Sequence, residues 1–310
     1  MCGASLVNPL RVLGNALRMS AVERYGRGHG TPGMEFHAFG RSIGSRLLRR
    51  GVPEGLVYWM APVAMFRYFE FAFAWAHLPR EPGHFLDVSS PRLLSLYAAW
   101  QRPEASIQMI NPDPKDALRT HRALAGLGLR NVKIDQRGVE SIGRGEGPYD
   151  CIWSISVVEH IHGDLDDRAA VQRMIDSLGP GRRLILTVPV DRHYHEDYRN
   201  RETYRLGAKP SSGGRFFFER VYDRATLWER LVAPTGLQPS ALRWFGEVEP
   251  GRYSAYEARW IREGWPMNIT DAIEIADHYR EFSSWEEMPG LGVCGLMLEI
   301  GGATAGGATS

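Results

Sequence analysis

The chain has 310 residues, 44% hydrophobic and 24% charged, with a formal net charge of +1. That is the balance of an ordinary globular protein able to bury a sizeable core. It carries no basic excess of the kind a nucleic-acid partner would call for. Basic residues are almost all Arg, the Lys being Lys115, Lys133 and Lys209, a bias read as a GC-rich genome. Cys2, Cys151 and Cys294 are too few and too far apart for a disulfide framework or a zinc cluster.

Residues 1 to about 50 are Gly- and Arg-rich with weak periodicity, read as helical pieces and loops. Pro53-Glu54 opens a helical stretch that Pro62 divides in two. The second helix, VAMFRYFEFAFAWAHL, is apolar almost all round and should be largely buried. The apolar window 56–78 is interrupted by Pro62, Arg67 and Glu70. A spanning helix needs roughly 20 apolar residues with few charges, so no membrane segment is expected. With no signal-peptide pattern at the N-terminus, a cytoplasmic protein is expected.

Strand and helix patterns then alternate. HFLDV (84–88), SIQMIN (106–111), NVKIDQ (131–136), YDCIWSIS (149–156) and RRLILTVPV (182–190) read as strands, with helical patterns in between. This spacing predicts a parallel sheet covered on both faces. Residues 191–220 read as polar and loop-like, and ATLWERLVAPTG as a helix. LQPSALRWFGE (237–247) and GVCGLMLEI (292–300) read as two more strands, separated by an aromatic-rich insertion at 248–290. The tail 301–310 is low in complexity and expected to be disordered. The expected organisation is an N-terminal helical region, 1–80, packed on a core at 81–300.

Three segments together resemble class I S-adenosylmethionine-dependent methyltransferases. PYDCIWSISVVEHI is similar to the family's fourth strand and the segment after it. SLGPGRRLILTVPV resembles the entry to the fifth strand, and FLDV the first strand with its terminal acid. FRYFEFAFAWAH resembles the leading helix, and the resemblance spans roughly residues 65–300. It implies a Rossmann-like, doubly wound, mostly parallel seven-stranded α/β sheet ending in a reversed hairpin. It also implies S-adenosylmethionine as cofactor and a small organic acceptor, methylated on O, N or C, with a bacterial biosynthetic role suggested by composition.

In such a sheet the ligand sits beyond the carboxyl ends of the strands. The residues so placed are Asp87, Ser89, Ser90, Asn111, Asp113, Glu140 and Ser156 for the cofactor. Glu159, His160 and His193 are the expected catalytic groups, since a near-neutral His suits proton removal from an acceptor. Tyr194, His195, Tyr253 and Trp260 are the expected acceptor contacts, with Tyr198, Arg201 and Tyr204 alongside. The chain departs from the family where Ser89-Ser90-Pro91 replaces a Gly-x-Gly turn, where Asn111 replaces an acid, and where Gly138 stands at the adenine-region Asp. These departures support an alternative: a methyltransferase-like fold with a drifted cofactor site, doing a different reaction or serving as a binding partner. EHIHGDLDD and DRHYHED could converge on a metal, but the default reading is two solvated polar loops and no metal. FFFERVYD (216–223) is read as a structural strand and cap, with Asp223 as N-cap.

Overall fold

The computed structural model describes residues 9–143, 146–204, 206–211 and 213–301. Cys2 and nearly all of the 301–310 tail lie outside the described residues.

Four helices come first: α1 (Pro9–Gly28), α2 (Met34–Arg49), α3 (Gly55–Met60) and α4 (Arg67–His77). From Pro9 on, the Gly-rich start expected as helical pieces and loops is two long helices joined by a short turn. Pro62 separates α3 from α4 as its fixed φ predicts. The alternating region follows as β1 (His84–Val88), α5 (Leu93–Gln101), β2 (Ser106–Ile110), α6 (Pro114–Leu127), β3 (Val132–Asp135), β4 (Tyr149–Ile155), α7 (Asp167–Asp176) and β5 (Leu178–Val190). Asp113 and Asp166 cap α6 and α7, accepting from the backbone N–H of Lys115 and Ala169.

Beyond β5 the polar stretch 191–220 holds one strand where a loop was expected, β6 (His195–Arg199), which pairs antiparallel with β7 (Phe216–Val221), the strand read in FFFERVYD. The polar ladder HEDYR has no hydrophobic alternation to betray it. Asp223 closes a capping box with Thr226 at α8 (Arg224–Leu227), which runs on into irregular turns as far as Thr235. Then come β8 (Pro239–Glu247), α9 (Arg252–Glu263), α10 (Asp271–His278), β9 (Tyr279–Phe282) and β10 (Gly292–Glu299).

The main sheet has the order β3-β2-β1-β4-β5-β10-β8-β9. Strands β1 to β5 pair parallel, whereas β10 runs antiparallel between β5 and β8. This is the doubly wound sheet with a reversed closing hairpin that the sequence implies, with eight strands instead of seven. The extra strand, β9, comes from the end of the 248–290 insertion. Phe282 is buried there, and the strand pairs with the otherwise open edge of β8.

Alternation along the strands feeds two cores. Phe85, Trp153 and Ile185 join Phe71, Phe73 and Leu96 on one face; Leu86, Ile152 and Leu184 join Val171 and Met174 on the other. On the first face α4 lies close to the sheet because Gly295 of β10 has no side chain: an added Cβ would sit 2.7 Å from the Phe73 ring. Most of the apolar side chains of the window 56–78 are therefore buried, while Leu56 and Val57 at its start are exposed. No helix among the described residues is long and apolar enough to cross a membrane.

Candidate functional site

The turn after β1 is organised by Asp87, which is fully buried. Its carboxylate accepts from the Ser90 backbone N–H at 2.9 Å and from the Ser95 hydroxyl. Burial pushes its pKa up to about 6, opposed by those hydrogen bonds. Ser89 sits at φ 56°, the left-handed conformation that glycine usually supplies, so the turn keeps a glycine-like path without a glycine. The Ser89 hydroxyl donates to the Ile110 carbonyl at 3.1 Å, and that of Ser90 accepts from the Ile155 N–H at 3.0 Å.

At the end of β2, Asn111 is likewise occupied. Its Oδ1 accepts from the Asp113 N–H at 2.9 Å and its Nδ2 donates to Asp116 at 3.1 Å. Asp116 in turn pairs with Arg92. Asp113 is half-buried; its Oδ1 accepts from the Lys115 N–H, and among the described residues Oδ2 has no hydrogen-bond partner. Glu140, after β3, is exposed, and its carboxylate lies over Gly138, within 2.2 Å of where a Cβ would be.

At the carboxyl ends of β4 and β5 several charged side chains meet. Glu70 of α4 is fully buried, pairs with Arg67, and accepts from the hydroxyls of Ser156 and of Thr187, the latter at 2.8 Å. Ser156, expected at the cofactor, also takes a positive φ of 47° and faces this acid. A short helical turn, Val158–His160, then presents Glu159 and His160. Glu159 is 1% exposed and its Oε2 has no hydrogen-bond partner. Burial, and then the neighbouring Glu219, hold its pKa well above the carboxylate range.

His160 Nδ1 lies 2.7 Å from the Phe218 carbonyl. A carbonyl only accepts, so this nitrogen carries the proton and Nε2 carries the lone pair. Burial lowers the pKa of the ring to about 4, keeping it neutral. Glu219 of β7 completes the group: its Oε2 is 3.8 Å from His160 Nε2, and burial raises its pKa to about 8. Tyr204 and Phe218 pack their rings 5.1 and 5.0 Å from that of His160. Tyr253 stacks on Phe66 at 5.0 Å, and its hydroxyl pKa is raised by burial and then by Glu219.

Of the residues expected from sequence, the structure brings Glu159, His160, Ser156 and Tyr253 into one region. Others lie apart. His193 and His195 are exposed, with His195 Nδ1 3.1 Å from the His193 carbonyl. Tyr194 gives its hydroxyl to Glu196 at 2.8 Å, and Trp260, 45% exposed, donates from its indole to the buried Asn268. The two His-rich loops flank β7, whose Arg220 meets Asp167 of one and Glu196 of the other, but among the described residues they share no cluster of metal-ligating groups. Glu219 was hidden inside a strand read as purely structural; an acid in an otherwise aromatic FFF-x-R-V run was the signal. Arg67 and Glu70, read only as interruptions of an apolar helix, form an ion pair in which Glu70 is buried and Arg67 half-buried.

No protein-family model matches the chain, and no curated protein does. Solved structures with a related chain path include the [4+2]-cyclase SpnF, 16% identical over 76% of this chain and 80% of that one, TM-score 0.46. Coclaurine N-methyltransferase, bound to N-methylheliamine and SAH, is 8% identical over 73% and 68%, TM-score 0.49. An O-methyltransferase from a trans-AT PKS multienzyme of Brevibacillus brevis, in complex with S-adenosyl-L-homocysteine, is 13% identical over 75% and 71%, TM-score 0.48. These scores lie below 0.5, and the fold assignment rests on the strand order and the reversed hairpin.

Proposed function

We propose that this chain transfers a methyl group from S-adenosylmethionine, held at the carboxyl ends of β1, β2 and β3, to a small organic acceptor at those of β4 and β5. The observation that carries the reading is the β1 turn. A fully buried Asp87 and a left-handed Ser89 hold the backbone in a path suited to a close ligand, at the strand ends where ligands of such sheets bind. The donor set fits the cofactor in part. Asp113 Oδ2 and the exposed Glu140 carboxylate are acceptors left over at the ends of β2 and β3, suited to ribose hydroxyls. S-adenosylmethionine supplies its sulfonium methyl as the electrophile.

This chain's own residues would bind, orient and deprotonate the acceptor. In the Glu159–His160–Glu219 group the proton acceptor is the bare Nε2 of His160, held in place by the Phe218 carbonyl. Tyr204 and Tyr253 supply aromatic surface beside it. A biosynthetic role in a bacterium, suggested by composition, belongs to the same proposal.

A second reading is favoured by the internal bonding of Ser89, Ser90 and Asn111, whose polar groups are already engaged. In that reading the cofactor site has drifted, and the chain runs other chemistry or serves as a binding partner. Equilibrium dialysis against labelled S-adenosylmethionine separates the two. One saturable site, weakened about tenfold by Asp113→Ala, is expected; no saturation up to about 1 mM rejects the methyltransferase reading.

A further inference from the structure

We propose that Glu159, His160 and Glu219 bind one divalent metal ion of the manganese or zinc class. One atom from each lies within 4.8 Å of the others, and they come from two segments folded together, the turn after β4 and strand β7. His160 Nε2 is 3.7 Å from Glu159 Oε1 and 3.8 Å from Glu219 Oε2. These separations are too long for hydrogen bonds. They are close to the roughly 3.4 Å between ligands that each sit about 2.1 Å from a tetrahedral ion.

The tautomer is the one a metal requires. Nδ1 donates to the Phe218 carbonyl, the outer-shell contact that ligating histidines make, and this turns the Nε2 lone pair toward the carboxylates.

Charge accounts for the rest. Two arginines face the group, yet each is bonded elsewhere: Arg67 to Glu70, and Arg199 to Glu257 at 2.7 Å. Among the described residues neither Glu159 nor Glu219 has an ion pair with Arg or Lys, and Glu159 Oε2 has no partner at all. Without a cation Glu159 and Glu219 are held toward their protonated forms, and a divalent ion lets both ionise as ligands at the same place. One imidazole with two carboxylates suits manganese, iron or zinc better than the all-oxygen shells of magnesium or calcium. The side chains of His160 and Glu219 stay 17% and 21% exposed, which gives the ion a way in.

The site goes beyond the methyltransferase reading and does not depend on it. With the ion bound, the Nε2 lone pair is a ligand, and an acceptor hydroxyl on the ion would be acidified by coordination instead of by the free ring.

The test uses the full chain, stripped with a chelator and titrated with Mn²⁺ alone, without cofactor. One Mn²⁺ per chain is expected, with affinity reduced at least tenfold in Glu219→Gln. Pulsed magnetic resonance of the wild-type complex should show nitrogen modulation from a directly coordinated imidazole, a readout that needs no variant to fold. No saturation up to about 1 mM, unchanged affinity in a folded Glu219→Gln, or bound Mn²⁺ without imidazole nitrogen would each overturn the proposal. Loss of S-adenosylmethionine binding with Mn²⁺ binding intact would count against the methyltransferase reading only.

Discussion

The imidazole of His160 donates from Nδ1 to the main-chain carbonyl of Phe218 at 2.7 Å, across 58 residues of sequence. That bond ties the turn after β4 to the β6–β7 hairpin and decides which ring nitrogen is free. Nitrogen NMR at neutral pH should find Nδ1 protonated and Nε2 bare; the opposite tautomer would contradict the geometry. His160→Gln should lower methyl transfer by about 100-fold or more, measured as turnover at saturating cofactor.

Glu70 anchors α4 over the ends of β4 and β5. Replacing it by Ala strands the Ser156 and Thr187 hydroxyls and the Arg67 charge at once. Glu70→Ala should destabilise the fold by about 2–3 kcal/mol in urea unfolding, mostly from the two hydroxyls left without their acceptor, since Arg67 is partly exposed. A loss below about 1 kcal/mol would show that these contacts do not hold α4 to the sheet.

Asp271 gives stability a distinct pH dependence. Its Oδ2 accepts from the Met65 N–H and the Tyr256 and Asn268 side chains, while Oδ1 has no partner. Burial raises its pKa from 3.8 to about 6, hydrogen bonds oppose the rise, and Glu274 adds to it. The folded state therefore binds this proton more tightly than the unfolded state. The stability so gained is complete below pH 3.8 and is lost as pH rises through 6. Asp271→Asn can keep the three contacts and removes the titration. Its stability relative to wild type should improve by up to about 3 kcal/mol between pH 4 and 7, read from unfolding curves. A pH-independent difference would refute the buried charge.

Ser89 combines a left-handed backbone with a hydroxyl bond to Ile110. Ala keeps the strain and loses the bond; Gly loses the bond and relieves the strain. Ser89→Gly should therefore be the more stable of the two by about 1 kcal/mol in thermal or urea unfolding. Equal stability would mean that the turn is not strained.

The parallel core was legible because each of its strands is a short apolar run set between helical patterns, as in HFLDV and YDCIWSI. β6 was not, since HEDYR is polar on both faces and owes its pairing to Phe216–Val221, a partner far along the chain. β9 was hidden for a similar reason: YREF is too short to stand out of a helix-rich insertion. At the site, Glu159 and His160 could be named because they directly follow a recognisable strand. Glu219 could not, because only the hairpin brings it beside His160. The roles of Ser89, Ser90 and Asn111 turned on hydrogen bonds across strands, to Ile110 and Ile155, and onto helix α6, which sequence spacing does not show.

The central claim places a cofactor at the ends of β1, β2 and β3. Hydrogen–deuterium exchange with and without S-adenosylhomocysteine tests it most directly. Slower exchange is expected in 88–92, 111–116 and 138–141, the turns carrying Ser89, Asp113 and Glu140. Unchanged exchange in all three turns at saturating ligand would contradict the account.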